Sequence, residues 1–536
     1  MILLRLFILT FICYKTLSWQ FLSSLRRNIL TSNNLNKSNN KLNLNMLSNT
    51  MLENYDNKIK SIDEIFCNRE MHGKNIEAVG FDMDFTLAQY NEKFDLLAYN
   101  AAKEKLYKIL GYPQSSVEEF QYDSTLFRRG LIIDKKNGNV VKIDRHRYAR
   151  IAYHGLTELD AGQRKTIYNN IFTSFTGSNY ISIDTLFSVV DAILFAQLVD
   201  LKDKFGKNNE MLYNKSYEDL YNDVRICVDL CHRDGVIKDA VIKDPAQYII
   251  QDPNLVLMLN RYKEKGKKVF LLTNSLWEYT DVVMKYLVDG HANSENSNWT
   301  KLFDIVVVGA CKPAYLTYDN LSMFRICQST GVLENIEDKD AFIIDDYDGM
   351  RNVFQGGTWN DLHRLLNIPK GEKILYVGDH MYSDILRSKR TLGWRTCLII
   401  PELEHELNVY EQEDDLIKEL RDLRQLQYDL DEFLDLLRQR MRMGAPPESQ
   451  LNQAEQKAAE IKKLISLKRT QLSKKFNPVW GQLFKAGHQD SNFAQQVCDY
   501  ACLYTSKASN LGMSAPDRPF RPFADNMAHD RQLSDE

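Results

Sequence analysis

No two cysteines stand in a C-x-x-C pattern, although the chain has nine of them. A zinc site would need ligands in tighter clusters with histidines close by, so the cysteines argue against one. Cys227 and Cys231, like Cys498 and Cys502, are four residues apart, which puts each pair on one helix face. They read as small apolar residues of a reducing compartment. A strongly basic balance is also missing. The formal charge is −4 over 536 residues, and nothing in it points to a nucleic-acid polymer as partner. Hydrophobic residues (44%) and charged residues (26%) are ordinary for a globular protein.

No long hydrophobic run opens the chain either. Ile2 to Tyr14 is apolar but is broken by Arg5 and Thr10 and closed by Lys15. It is short for a membrane span, which takes about 20 residues, and suits a secretory h-region better. From Ser23 to Met51 there is no acidic residue, while Asn, Ser, Leu and Lys abound. That composition is transit-like. The two segments together resemble leaders of proteins sent to a plastid-type organelle through the secretory route. The alternatives are an Asn-rich disordered extension, or an upstream extension on a protein that starts at Met46 or Met51, with a cytoplasmic location.

Past Glu53 the chain reads as folded, and its length allows two to four units. Ile76–Phe81, Val269–Leu272, Ile305–Val308, Phe342–Ile344, Ile374–Val377 and Thr396–Ile400 are short apolar runs that alternate with helical stretches, which predicts a layered α/β sheet. Leu131–Ile133 and Val140–Ile143 flank Asn137-Gly138, a hairpin signal. Helical periodicity runs from Ile183 to His232. Leu416, Leu420, Leu423, Leu430, Leu434 and Leu437 recur at helical spacing, Gly444 to Pro447 break the run, and Gln450 to Lys475 predict a second helix. A coiled-coil-like hairpin follows, packed on itself or on a partner subunit.

The chemistry sits at strand ends. Asp82 and Asp84, in Gly80-Phe81-Asp82-Met83-Asp84-Phe85-Thr86-Leu87, follow a buried run at a spacing that lets one attack while the other handles a proton. A carboxylate attacks phosphorus only when something neutralises the phosphate charge, and Mg²⁺ does so. Asp84, beside a second carboxylate, would tend to keep a proton and act as general acid. Thr273, Asn274 and Ser275 end another strand with groups that can donate to phosphate oxygens. Lys312 offers a point charge, although alone it reads as a surface lysine. Asp379 and Asp384, after a fourth strand, can complete an oxygen-rich metal shell. Arg225, Asp229 and His232 share a helical face, which alone is equally a solvated surface.

These four segments resemble the motifs of haloacid dehalogenase-like (HAD) hydrolases. The longer text is similar to the cytosolic purine 5′-nucleotidase and 5′-nucleotidase domain-containing branch, through Arg129-Gly130-Leu131, His154-Gly155, Asp223-Val224-Arg225, Trp394-Arg395-Thr396 and Pro401-Glu402-Leu403. The resemblance runs from about Ile65 to about Tyr504. It implies Asp82 as nucleophile and Mg²⁺ ligand, and Asp84 as acid/base and carbonyl ligand. It further implies Thr273, Asn274 and Lys312 on the phosphate, Asp379 on the metal and Asp384 behind it. Arg225, Asp229 and His232 would contact the nucleotide. Purine-specific members place an aromatic and an asparagine after the His-Gly, to receive the base. Here those positions are Leu156 and Thr157, which leaves the base open.

The expected architecture is a three-layer α/β/α HAD-like core with a parallel sheet (53–93 and 253–410). A large, mostly helical cap (94–252) would follow the first strand. After the core come a helical hairpin (411–475) and a C-terminal extension (476–536), with residues 1–52 as leader. The substrate would be a phosphate monoester, foremost a nucleoside monophosphate. A phosphosugar and a non-enzymatic interaction role are the competitors. No stable membrane span is expected, and the resemblance suggests a homo-oligomer. A fluorescent fusion of residues 1–60 is expected to reach an organelle, and diffuse cytoplasmic signal would remove the leader reading.

Overall fold

A computed structural model describes residues 63–168, 175–206, 209–291, 297–336, 352–442 and 448–522. The leader, the strand expected at Phe342–Ile344 and the break at Gly444–Pro447 lie outside them.

Short β-branched and aromatic runs, buried on both faces, build a parallel sheet. Its strands are β1 (Ala78–Phe81), β2 (Lys268–Leu272), β3 (Ile305–Val308), β4 (Val353–Gly356), β5 (Ile374–Gly378), β6 (Arg395–Ile399) and β7 (Leu503–Thr505). Their spatial order is β7-β6-β5-β1-β2-β3-β4, every neighbouring pair parallel. Antiparallel strands flank it, Phe66–Cys67 on β7 and Met323–Ile326 on β4. Alternate residues face opposite layers. Val79, Phe81 and Leu271 pack towards Met258, Leu259 and Val283, while Ala78, Phe270 and Tyr376 pack towards Leu362, Leu366 and Trp394. The result is the expected α/β/α sandwich. At Gly80 an added Cβ would lie 2.0 Å from the Phe270 ring, so the central strand needs glycine there.

Chain direction along the sheet reverses at β1. From β1 the chain moves one way through β2, β3 and β4, then crosses to β5 on the other side. Such a switch point opens a crevice at the carboxyl ends of the strands.

A two-stranded ribbon, Gln89–Tyr90 against Ile249–Ile250, carries the chain out of the core and back. Between them lies the cap. Helices α1 (Phe187–Phe205) and α2 (Tyr217–Arg233) form its spine, α2 started by a Ser216/Asp219 capping box. The cap also holds a five-stranded antiparallel sheet, of which the sequence showed only the hairpin at Asn137-Gly138. The outer strands Thr157–Glu158 and Tyr180–Ser182 are too short to carry a period-2 signal.

After β6 come α3 (Glu402–Gln412), α4 (Asp414–Arg442) and α5 (Glu448–Phe476). The last two pack antiparallel through Leu434, Leu437 and Ala454, with Arg438–Glu455 and Lys468–Glu419 ion pairs across the seam. No helix among the described residues is long and apolar enough to cross a membrane. Cys227 and Cys231 are buried on α2, but Cys498 and Cys502 do not share a helix face as expected: the helix Asn492–Tyr500 ends before Cys502, and Cys498, like Cys311, is exposed.

Lys142, on the cap sheet, is buried and donates to the carbonyls of Trp480 (2.7 Å) and Gln482, which joins the cap to the segment after α5. Burial, with Arg128 nearby, pushes its ammonium down to about 7. The unfolded chain keeps that proton up to about pH 10, so between pH 7 and 10 unfolding takes up a proton and stability rises with pH. Lys142→Met should remove this rise. We expect the parent to gain roughly 2 kcal/mol relative to the variant between pH 7 and 9 in urea unfolding. Parallel pH profiles would exclude a depressed Lys142.

Candidate active site

The crevice at the switch point collects the carboxyl ends of β1, β2, β3 and β5. Asp82 follows β1, Thr273 follows β2, Lys312 lies in the loop after β3, and Asp379 follows β5. Asp384 sits on the wide turn Met381–Leu386 and reaches back over Gly378, where a Cβ would stand 2.6 Å from it. Its Oδ2 accepts the His380 N–H at 3.2 Å.

Lys312 is the hub. It is a buried lysine, not the surface residue its isolated sequence context suggested. Its Nζ lies 2.9 Å from Asp82 Oδ2 and 2.8 Å from Asp384 Oδ1, and donates to Tyr376 Oη at 2.9 Å. Burial works against its charge, yet Asp384 and Asp82 hold it well above the usual lysine range. Asn274 secures the loop. Its side chain donates to the Lys312 carbonyl (3.1 Å) and accepts the Lys312 N–H (2.6 Å). The amide expected on the phosphate thus gives one N–H and its oxygen to Lys312, and its second N–H is left for another acceptor. The Thr273 hydroxyl is buried and accepts from Ser275 N–H at 3.1 Å, which leaves its proton free to donate.

Carboxylate oxygens of Asp82, Asp379 and Asp384 lie within 4.8 Å of one another. Burial, together with Asp384 and Asp84, pushes Asp82 up to about 7 against the pull of Lys312. Burial, then Asp384 and Asp82, raises Asp379 well above the carboxylate range. A single lysine does not balance these acids. An all-oxygen donor set with surplus negative charge fits a hard divalent cation.

Arg129, from the cap, is buried beneath this cluster. It forks onto Glu402 of α3 (2.9 and 2.5 Å) and donates to the Asp379 carbonyl at 2.8 Å. Thr185, also from the cap, donates to Asp379 Oδ2 at 3.4 Å. Asp84 accepts from Ser275 (2.8 Å) and Tyr90 (2.6 Å). Phe85, at φ +53°, is clamped by Phe187 (ring centroids 4.6 Å) and Tyr90 (5.0 Å). A left-handed non-glycine residue costs about 1–2 kcal/mol, so the aromatic clamp sets the loop that carries Asp82 and Asp84.

The cap helices meet the site at one end. Phe187, at the start of α1, packs edge-on to His232 near the end of α2 (5.7 Å). Arg225 pairs with the buried Asp191 of α1 at 2.7 Å and with Asp229. Burial, then Lys238 and Arg225, lower the His232 imidazole against the opposing pull of Asp229 and Asp84. Arg225, Asp229 and His232 thus share the face of α2 that packs on the start of α1 at Phe187 and Asp191. Leu156 and Thr157 do not join them. The Leu156 N–H is held by Asp200 (3.1 Å), and His154 by Asp203 (2.7 Å), at the far end of α1. At 1.5 Å per residue, Asp200 is about 20 Å along the helix from Phe187. The departure at Leu156/Thr157 therefore says nothing about the base. The aromatic face near the chemistry is Phe187, which the sequence showed only as one apolar residue in a helical run. Arg129 and Glu402 were visible within resembling tripeptides, but no spacing reveals that residues so far apart form a pair.

The sequence profile of the 5′ nucleotidase family matches residues 65–532. The chain belongs to this family. A 5′-nucleotidase domain-containing protein of Dictyostelium discoideum is 28% identical over 488 residues, spanning 87% of this chain and 76% of that protein. Membership makes this 5′ nucleotidase family chain a phosphoric monoester hydrolase of the phosphatase/nucleotidase kind. Among solved structures, CbbY from Rhodobacter sphaeroides in complex with phosphate aligns at 13% identity and a TM-score of 0.20, over 60% of this chain and 86% of its own. That likeness is too low to bear on the fold, which rests on the strand order above.

Millimolar Mg²⁺ should raise the thermal midpoint of this family member by several degrees, since a ligand bound only to the folded state stabilises it. Asp379→Asn should abolish the rise. An equal rise in both proteins would place the ion elsewhere.

Proposed function

We propose that the protein is a Mg²⁺-dependent 5′-nucleotidase that hydrolyses nucleoside monophosphates through an aspartyl-phosphate on Asp82. The observation that carries this reading is the Asp82–Lys312–Asp384 bridge with Asp379 beside it, opposite a cap face that offers an aromatic ring (Phe187), a guanidinium (Arg225) and an imidazole (His232). Phosphate needs the first set, and a nucleoside suits the second.

Asp82 and Asp379, with the Asp84 carbonyl, would hold Mg²⁺. When bound, the ion supplies the positive charge that lets a carboxylate approach a phosphate dianion. The rest falls to the chain. Lys312 and the Thr273 hydroxyl hold the phosphoryl oxygens. An Asp82 carboxylate oxygen forms a bond to phosphorus as the P–O bond to the nucleoside breaks, and Asp84 gives its proton to the departing 5′ oxygen. Asp84, now a carboxylate, takes a proton from water. The hydroxide oxygen bonds to phosphorus, the Asp82–phosphorus bond breaks, and inorganic phosphate leaves. The buried crevice, roofed by the cap, keeps other water from the phosphoryl group.

The test is phosphate release from purine, pyrimidine and deoxy monophosphates and from sugar phosphates, with and without Mg²⁺. A chain starting at Met51 and its Asp82→Asn form would be compared. Mg²⁺-dependent turnover of a nucleotide, lowered to background in Asp82→Asn, is the expected result. Turnover of sugar phosphates alone would keep the chemistry and discard the nucleotide. Equal turnover in Asp82→Asn would remove the nucleophile assignment.

A further inference from the structure

Both carboxylate oxygens of Asp84 are held by hydroxyl donors, and one donor comes from outside the core strands. Ser275 Oγ, next to the phosphate-holding Thr273, donates to Oδ2 at 2.8 Å, and Tyr90 Oη donates to Oδ1 at 2.6 Å. Tyr90 lies on the ribbon through which the chain leaves for the cap, paired with Ile249 on the returning strand. Its ring is buried, stacked on Phe94 of the first cap-side helix (centroids 4.2 Å) and edge-on to Phe85. A phenol beside a carboxylate is the only one of the two with a proton to give, so the Tyr90 hydroxyl is the donor. With that proton committed to Asp84, the Tyr90 oxygen accepts from Tyr279 at 2.9 Å, on the core helix Trp277–Asp289. Lys238 of the cap sits 5.5 Å over the Tyr279 ring. Asn91 N–H donates to the Tyr248 carbonyl and Gln89 to the Phe85 carbonyl, which fixes the ribbon to both the returning strand and the catalytic loop.

Proton transfer to a leaving oxygen requires the donor oxygen at hydrogen-bond distance, and about 1 Å of misplacement can cost two orders of magnitude. A carboxyl group supported at one oxygen can still swing about its Cβ–Cγ bond. Supported at both, it cannot. We propose that Tyr90 is a positioning residue that fixes Asp84 for protonation of the leaving oxygen. The proposal rests on the reading of Asp84 as acid/base given above.

Leaving-group dependence separates this role from a structural one. Poor leaving groups, such as a nucleoside 5′ oxygen or an alkyl alcohol, need the proton, whereas nitrophenolate departs without it. The experiment uses the full chain as Tyr90→Phe, with kcat/KM measured for a nucleoside monophosphate, alkyl phosphates, phenyl phosphate and nitrophenyl phosphate. We expect kcat/KM for the nucleotide to fall about 10- to 100-fold, mostly in kcat, while nitrophenyl phosphate stays within about threefold. Asp84→Asn should show the same selectivity, larger, and Tyr279→Phe a smaller version that also serves if Tyr90→Phe does not fold. A uniform loss across the series, or none, in Tyr90→Phe while Asp84→Asn is selective would overturn the positioning role and leave the function reading intact. Asp84→Asn without selectivity, beside an inactive Asp82→Asn, would instead overturn the acid/base assignment and the proposal with it.

Discussion

An ammonium group with almost no access to water needs anionic partners, and Lys312 finds them in Asp82 and Asp384. The dependence runs both ways. Without the lysine, three acids would crowd a buried volume with no protein cation in direct contact, a cost of several kcal/mol per uncompensated charge. Asn274 clasps the Lys312 backbone, Tyr376 receives its third proton, and Gly378 lets Asp384 come close enough to share it. Much of the crevice can thus be understood as support for one cation. The charge that remains uncancelled, on Asp82 and Asp379, is what a metal and a phosphate would together resolve.

A second buried pair does a different task. Arg129 and Glu402 belong to cap and post-core helix, and the guanidinium also holds the carbonyl of Asp379. Replacing such a pair with hydrocarbon often costs nothing in stability. Its value here lies in geometry: the cap, α3 and the acidic loop are registered against one another through a planar fork that fits one arrangement. Thr185 repeats the logic from a second point of the cap.

How far this was legible in the sequence follows from how each feature is encoded. Asp82, Thr273, Lys312 and Asp379 each end or follow an apolar strand, so a local pattern exposes them and parallel topology does the rest. The β4 strand, Val-Phe-Gln-Gly, is half polar and short, and it was missed. Of the cap sheet only the central hairpin was legible, since its outer strands of two and three residues carry no period. Leu156 and Thr157 were placed at the base by aligning a dipeptide, but the fold puts them beyond Asp200, some four helical turns from Phe187. Lys312 shows the opposite failure. Its burial is set by Asp384, far along the chain, and no local signal could report it. Tyr90 and Arg129 belong to the same class, since their partners are chosen by topology.

The position of β7 has a consequence for how the protein is made. This strand closes the sheet against β6 and in turn receives Phe66–Cys67 from near the start of the described chain. At about 5–20 residues per second, the roughly 100 residues between β6 and β7 take on the order of 5 to 20 seconds to synthesise. For that time β6 is an open apolar edge on a nascent polypeptide. The acidic residues of the crevice and Lys312 will all have left the ribosome before the sheet that aligns them can close, so a chain that stalls or is cut within the helical hairpin holds the whole crevice set and lacks the strand that protects it from aggregation.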